Sequence, residues 1–357
     1  MHHKINMMLD SGAFSIWRRG SLELEKPEHL RTPIVILREE YRDALKYLGN
    51  TIFVGINLDV IPGELGRDPT GNEVEDAASQ SWDNYEFLRD SGCNVMPVFH
   101  YGESFEWLDQ MVKSGATYIG LGAIARVRTQ EREVWLDKVF GMLCGDSGLP
   151  CVKVHGLGVT SLRIMQRYPW YSVDSTTAQV VSSHGGVMLP IVDKVTGRST
   201  FLETAIRSLS SKGASEECYA TMPPASRAVV DAYLAEQGFT IQELAESPYI
   251  RFRANVRFFS LFLDEYVPQP FHAQTCGFFA PKPITVSKRN PLDKVRIFYG
   301  LDSRHREVML DAELCMDRLM SFVKVRDTAK LQKFKQEIET GLVTDDDLRP
   351  CEAGRGA

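Results

Sequence analysis

Asn94-Val-Met-Pro-Val-Phe-His100, Phe105-Glu-Trp-Leu-Asp-Gln-Met-Val-Lys113 and Tyr118-Ile-Gly-Leu-Gly-Ala-Ile124 follow one another with short polar breaks between them. The first and third are near-continuous apolar runs, as in parallel strands covered on both faces. The middle one is amphipathic with helical spacing. Ser104 stands where a side chain can cap the helix, with Glu106 in its first turn. Gly92 and Gly115 stand where helices should stop before the next strand. The stretch therefore reads as strand, helix, strand.

The same grammar extends in both directions. Strands are predicted at 5–10, 52–59, 94–100, 118–124, 152–158, 171–174 and 186–191. Helices are predicted at 38–48, 77–90, 105–113, 130–144 and 161–167, the last capped by Thr160-Ser161. Strict alternation of this kind means an α/β fold. Six or seven units before residue 200 predict a TIM (β/α)8-type barrel, with a doubly wound open sheet as the alternative. Residues 1–200 are read as the barrel core. Beyond them helical patterns dominate, at 201–211, 225–237, 240–245, 250–266, 306–325 and 330–341. Residues 201–343 are thus a mainly helical C-terminal portion, able to complete the barrel and to contact nucleic acid. Within it, 267–293 reads as an irregular loop, and 344–357 reads as a disordered tail.

Composition bounds the setting. The chain has 357 residues, 43% hydrophobic and 25% charged, ordinary for a soluble globular protein. No run of about 18 apolar residues predicts a membrane span, and Met1-His2-His3-Lys4 does not open a signal peptide. Seven scattered cysteines fit reduced thiols, so a cytoplasmic location is expected, the host cytoplasm if the gene is carried by a phage. The net charge of -6 confines any nucleic-acid surface to a local basic patch.

In a barrel, carboxyl ends of strands converge on one face and carry the chemistry. Here those ends are Asp10-Ser11-Gly12, Asn57-Leu58-Asp59, His100-Tyr101-Gly102-Glu103, Gly120-Leu121-Gly122, His155-Gly156-Leu157-Gly158 and Asp174-Ser175. Asp, Ser and Gly also make ordinary turns and caps. As a set, however, they place several carboxylates and two flexible backbone stretches in one register. Two carboxylates facing a glycosidic carbon can act as nucleophile and as acid/base.

Asp10-Ser-Gly-Ala-Phe-Ser15 resembles the Asp-Ser-Gly-Gly-Phe-Gln motif of tRNA-guanine transglycosylases. His155-Gly-Leu-Gly-Val-Thr-Ser-Leu162 and Tyr171-Ser-Val-Asp174-Ser resemble that family's Gly-Val-Gly-Thr-Pro helix start and its nucleophile strand. Gly120-Leu-Gly-Ala123 resembles its glycine-rich strand end, and Leu58-Asp59 before Pro62 its base-recognition segment. The Val-Asp-Ser-Thr form of the nucleophile strand is most similar to the DpdA-like branch, the DNA-guanine transglycosylases of phages and bacteria. The resemblance covers about residues 5–180.

It implies a transferase that exchanges guanine in DNA for a 7-deazaguanine base such as 7-cyano-7-deazaguanine. By this resemblance Asp174 is the nucleophile and Asp10 the acid/base. Asp59 recognises the purine, and Phe14 stacks on it, with Tyr101 a second aromatic candidate. Ser11, His100, Gly120, Gly122, His155 and Gly156 line the substrate site. Arg18 and Arg19 beside the first turn, and Arg253 and Arg257 on one helix face, are candidates for the nucleic-acid backbone. Lys288-Arg289 and Arg304–Arg306 form further basic patches.

The chain departs from the family at Ala13, Ser15 and His100-Tyr101-Gly102, which alters the base-contacting part. It also lacks the family's Cys-x-Cys-x-x-Cys zinc spacing. No cofactor is expected and no metal ligand is assigned. A structural zinc held by Cys218, His272, Cys276 and Cys315 stays open, as does the oligomeric state. Three other readings stand beside this one: exchange in tRNA, a barrel hydrolase with a metal on Asp10, Asp59, His100 or His155, and a binding module without catalysis.

Overall fold

The computed structural model describes residues 7–24, 37–64, 66–123, 127–159, 161–192, 199–206, 219–265, 269–271, 296–301, 319–321, 332 and 336. Side chains of 19–24, 192, 199–203, 205, 263–265, 296–301 and 319–321 lie outside the description.

The protein is a mixed α/β molecule built on a parallel sheet. Its strands are β1 (Met7–Leu9), β2 (Val54–Ile56), β3 (Val95–Met96), β4 (Val98–His100), β5 (Tyr118–Gly122), β6 (Lys153–Gly156) and β7 (Ser172–Ser175), joined by β10 (Arg296–Leu301) and β11 (Leu319–Ser321). The hydrogen-bonded order is β3-β2-β1-β11-β10-β7-β6-β5-β4, and every pair is parallel. The two strands at the ends of that order, β3 and β4, are separated along the chain by Pro97 alone. The Met96 carbonyl accepts from Asn57 N–H at 3.0 Å on one side, and the Pro97 carbonyl accepts from Gly120 N–H at 2.9 Å on the other.

Helices connect the strands: α1 (Ala13–Leu24), α2 (Arg38–Leu48), α3 (Gly71–Asp90), α4 (Phe105–Lys113), α5 (Thr129–Leu143), α6 (Leu162–Arg167) and α7 (Thr177–Ser183). They cover one face of the sheet. There Leu9, Phe99, Ile119, Leu121, Val154 and Val173, all fully buried, pack with helix residues such as Leu48, Leu108 and Phe140. The alternate strand residues Met8, Val54, Ile56, Met96, Val98 and Tyr118 form a second cluster, packed among themselves and with Phe53, Tyr171 and Leu157. Strand periodicity then fixes which polar residues share that second face. Two residues beyond Met8 comes Asp10, beyond Val98 comes His100, and beyond Tyr118 come Gly120 and Gly122.

The predicted starts and stops are largely found. Ser104 Oγ accepts from Glu106 N–H at 3.3 Å, and Gly92 and Gly115 take φ of +80° and +88° at helix ends. Ser161 precedes α6 without a side-chain cap bond, and Thr160 lies outside the described residues. Helix α3 begins six residues earlier than predicted, at Gly71, because Thr70 and Glu73 form a reciprocal capping box.

Four readings need correction. Gly186–Val192 (β8) is not a strand of the parallel sheet; it pairs antiparallel with Ser199–Ala205 (β9) as a separate ribbon. That second strand occupies the start of the segment read as a helix at 201–211, whose end lies outside the described residues. The ribbon buries Val187 and Leu189 against α8 (Pro224–Glu236), α9 (Ile241–Glu246) and α10 (Pro248–Glu265), while Met188 faces the main core. Apolar residues on both faces made it look like a sheet-centre strand. Third, Leu319–Ser321 is a strand within the segment read as a helix at 306–325, and its three residues carry no period of their own. Fourth, the strand read at 94–100 is two strands, β3 and β4, divided at Pro97; Arg296–Leu301, to which no element was assigned, joins the sheet as well. Of 267–293 only Gln269–Phe271 are described. Of 330–341 only Gln332 and Gln336 are, both helical, and 344–357 lie outside.

Candidate active site

The carboxyl ends of β1, β2, β4 and β7 bring Asp10, Asp59, His100, Glu103 and Asp174 into one electrostatic neighbourhood. Asp10 ends β1, and its chain turns at once through Gly12 (φ +78°) into α1. Ser11 is buried and its Oγ accepts from Ala13 N–H at 3.4 Å, so it serves the helix start. The carboxyl of Asp10 is pushed up from 3.8 to about 7. Burial is the main cause, followed by the charges of Asp59 and then Asp174; the N–H groups of Gly12 and Ser11 oppose the shift. Asp10 thus holds its proton up to neutral pH, and two other carboxylates stand close enough to enforce this.

Asp59 follows β2 and is held by a histidine. His100 Nε2 lies 2.8 Å from Asp59 Oδ2, and His100 Nδ1 lies 2.9 Å from Glu103 Oε1. Glu103 Oε2 also accepts the His100 backbone N–H at 2.9 Å, closing the turn after β4. The three side chains are nearly solvent-free, at 10% exposed for Asp59, 6% for His100 and 3% for Glu103. Burial alone would lower the imidazole's pKa, but the hydrogen bonds to Asp59 and Glu103 outweigh it and raise it to about 10. His100 is therefore an imidazolium between two carboxylates.

Gly122 makes this possible. A Cβ there would lie 2.5 Å from His100 Cδ2 and 3.0 Å from Nε2, so the glycine vacates space for the imidazole, not for a ligand. Its carbonyl accepts Tyr101 N–H at 3.1 Å. Gly120 lies mid-strand, opposite Met96 and Val98, and its N–H bonds the Pro97 carbonyl. Gly156 faces Val159 and Trp170 within 3.0 Å. The space that a side chain would fill at Gly122 and Gly156 is thus occupied by neighbouring protein groups.

Asp174 is the third residue of β7 and is 15% exposed. Its Oδ1 accepts the Gly158 N–H at 2.8 Å and lies 3.3 Å from His155 Nε2. His155 is completely buried, and its Nδ1 lies 2.6 Å from Ser172 Oγ, which also contacts the Tyr118 hydroxyl. His155 thus lies buried next to Asp174.

Phe14 is 48% exposed on α1, next to Trp17 at a ring separation of 5.7 Å. Tyr101 is half-buried, edge-on to Trp135. Arg18 is exposed on the same helix as Phe14, and the side chain of Arg19 lies outside the description. Arg253 and Arg257 sit half-buried on α10, whose Phe252, Phe258 and Phe259 are core residues. Arg257 Nε donates to Gln237 Oε1 at 3.2 Å. Both arginines stand on α10, whereas the carboxyl groups stand at strand ends. Lys288, Arg289 and Arg304–Arg306 lie outside the described residues, as do Cys218, His272, Cys276 and Cys315.

Glu103, Ser172 and Tyr118 were not singled out from sequence. Glu103 was visible as an acid three residues after His100; nothing marked the other two. A further unsignalled residue is Tyr41 on α2, fully buried, whose hydroxyl lies 2.6 Å from the Ile56 carbonyl and 3.2 Å from that of Leu9. It ties together the strands that deliver Asp10 and Asp59. Among the described residues no group of three His, Cys, Asp or Glu side chains is arranged to hold a metal, and no helix is long and apolar enough to cross a membrane. Both ring nitrogens of His100 are engaged by carboxyl groups.

No protein-family model, curated protein or solved structure matches this chain.

Proposed function

We propose that the protein is a DNA-guanine transglycosylase working on a (β/α)8 barrel. The barrel reading is supported by the sequence adjacency of β3 and β4, which stand at opposite ends of the strand order. Counting them as one strand leaves eight (9 − 1). Pro97 lacks an N–H, so its place between two pairing partners forfeits no ladder bond on that account. The second apolar cluster, made of residues in the strands or next to their ends and of no helix residue, fits a barrel interior.

The observation that carries the function is the proton-holding Asp10 beside Asp59 and Asp174 at strand carboxyl ends. Base exchange without backbone cleavage needs two displacements at C1′. In the first, an oxygen of Asp174 bonds to C1′ as the glycosidic C–N bond breaks, and the proton on Asp10 goes to the departing guanine. In the second, the incoming 7-deazaguanine gives its ring N–H proton to Asp10. Its nitrogen bonds to C1′ as the Asp174 ester bond breaks. The Gly158 N–H on Oδ1 leaves Oδ2 of Asp174 for the attack. Asp59 faces the purine N1–H and exocyclic amine, an acceptor edge that matches guanine and opposes adenine. The target nucleotide must leave the stack to reach the carboxylates. Phe14 offers an exposed ring beside them, and Arg18 a cation for the strand.

DNA is preferred over tRNA on the Val-Asp-Ser-Thr form of the nucleophile strand and the missing zinc spacing. The test is release of labelled guanine from DNA, or separately tRNA, in the presence of 7-cyano-7-deazaguanine. Release from DNA that disappears in Asp174→Asn is the expected result. Release from tRNA alone would keep the chemistry and replace the substrate. Full exchange by Asp174→Asn would refute the nucleophile assignment.

A further inference from the structure

Asp10 and Asp59 are neighbouring carboxyl groups, and the charge of Asp59 disfavours ionisation of Asp10. Something must decide which of them carries the proton, because only the protonated one can act as an acid and only the anion can accept two N–H groups from a base. The geometry decides it. His100 Nε2 is 2.8 Å from Asp59 Oδ2, and the imidazole's other nitrogen is 2.9 Å from Glu103 Oε1. Glu103 is itself fixed, because its second oxygen accepts the His100 backbone N–H. Gly122 leaves the room that the ring needs.

We propose that Glu103 is a positioning residue acting through His100: the pair pins Asp59 as the anionic edge on which a guanine-type base docks, and thereby leaves the transferable proton on Asp10. This rests on the transglycosylase reading above and deepens it, since it names the groups that set specificity for a base with an N1–H and a neighbouring amine. The charged or titratable groups around the clamp are Asp59 and Glu103 on His100 itself, with Asp10, Asp174 and the Tyr41 hydroxyl behind Asp59. His155 also stands 3.3 Å from Asp174, and His100 is the histidine that faces Asp59 and Glu103. A charged hydrogen bond is worth about 1.5–3 kcal/mol, so its loss should weaken base binding by roughly tenfold or more.

The test compares wild type with Glu103→Gln and Glu103→Asp by nitrogen-15 NMR of the histidine rings and by exchange kinetics with guanine as the incoming base. Gln keeps the size and an acceptor for the backbone N–H but removes the charge; Asp restores the charge. The expected result is an imidazolium signature for His100 at about pH 8 in the wild type, lost in Glu103→Gln and recovered in Glu103→Asp. With it, KM for guanine should rise roughly tenfold or more in Glu103→Gln while kcat changes far less, and Glu103→Asp should recover most of that KM. A neutral His100 in a wild-type enzyme that does exchange bases overturns the clamp alone. An unchanged KM in Glu103→Gln, or a fall confined to kcat, overturns the docking role. A wild-type protein that shows the imidazolium yet exchanges no base from DNA or tRNA refutes the transglycosylase reading, and the docking role falls with it.

Discussion

A carboxyl group buried beside two others pays for its position in charge, and Asp10 shows how much. Its folded-state pKa of about 7 stands above its ordinary 3.8, so the folded protein keeps a proton that the unfolded chain gives up. The sign follows. Below pH 3.8 both states hold the proton and Asp10 has no effect on stability. As pH rises the unfolded state gains by ionising, and above about 7 the full penalty is present. The difference between the two values corresponds to about 4 kcal/mol at most. Asn at this position has the same shape and no charge to bury. Asp10→Asn is therefore expected to be more stable than the wild type at about pH 8, by up to a few kcal/mol, with the gap closing toward about pH 4. Urea unfolding across that range checks it, and equal stability of the two proteins at about pH 8 would show that Asp10 is not strained. The same variant should exchange no base, because it has no acidic proton to give. Stability gained and activity lost at one residue is the pattern of a catalytic group held against its own preference.

At the scale of elements, α3 is what aims Asp59. The segment after β2 is irregular, and its polar groups need partners. Ser81 Oγ on α3 accepts Val60 N–H at 2.8 Å, the Ser81 carbonyl accepts from Asn57 Nδ2 at 2.8 Å, and Asn84 Nδ2 donates to the Leu58 carbonyl at 2.8 Å. The backbone on both sides of Asp59 is thus fastened to one helix. Ser81→Ala leaves the Val60 N–H without that acceptor, at an expected cost of about 1–3 kcal/mol. Since the loosened segment carries Asp59, KM for the base should rise as well. Denaturant unfolding together with exchange kinetics measures both; a stable variant with unaltered KM would show that α3 does not position the recognition edge. The pattern of elements from β1 to β7 was legible in the sequence because each apolar run there is bounded by turn residues and alternates with an amphipathic helix. So were Asp10, Asp59, His100 and Asp174, which stand where those runs end. Glu103 was visible but anonymous, since an acid after a strand is usually solvated, and only the fold turns it back onto His100. What surrounds Gly122 and Gly156 was not legible for a related reason: a missing side chain in sequence does not reveal what fills its space.

At the scale of the whole molecule, the sheet depends on segments that sequence alone did not reveal. Met7–Leu9 pairs with Leu319–Ser321, and Ser172–Ser175 pairs with Arg296–Leu301, across much of the chain in each case. The three residues Leu319–Ser321 are too short to show a period, and parallel pairing over such separations leaves no local mark for either strand. Yet these two strands sit between the ones that carry Asp10 and Asp174, because β11 neighbours β1 and β10 neighbours β7. The spacing of Asp10 and Asp174 is therefore set by C-terminal residues that contribute no recognised motif. Removing 291–357 would strip both strands and leave the inner edges of β1 and β7 with unpaired N–H and C=O groups. That truncated chain should lose cooperative thermal unfolding, elute as aggregate and exchange no base, although every motif of the resemblance remains in it. Size-exclusion chromatography, circular-dichroism melting and the guanine-release assay read the three outcomes. A monomeric, cooperatively melting and active truncation would mean that residues 7–192 assemble the site without them, and the pairing of β10 and β11 would have no part in holding Asp10 and Asp174 together.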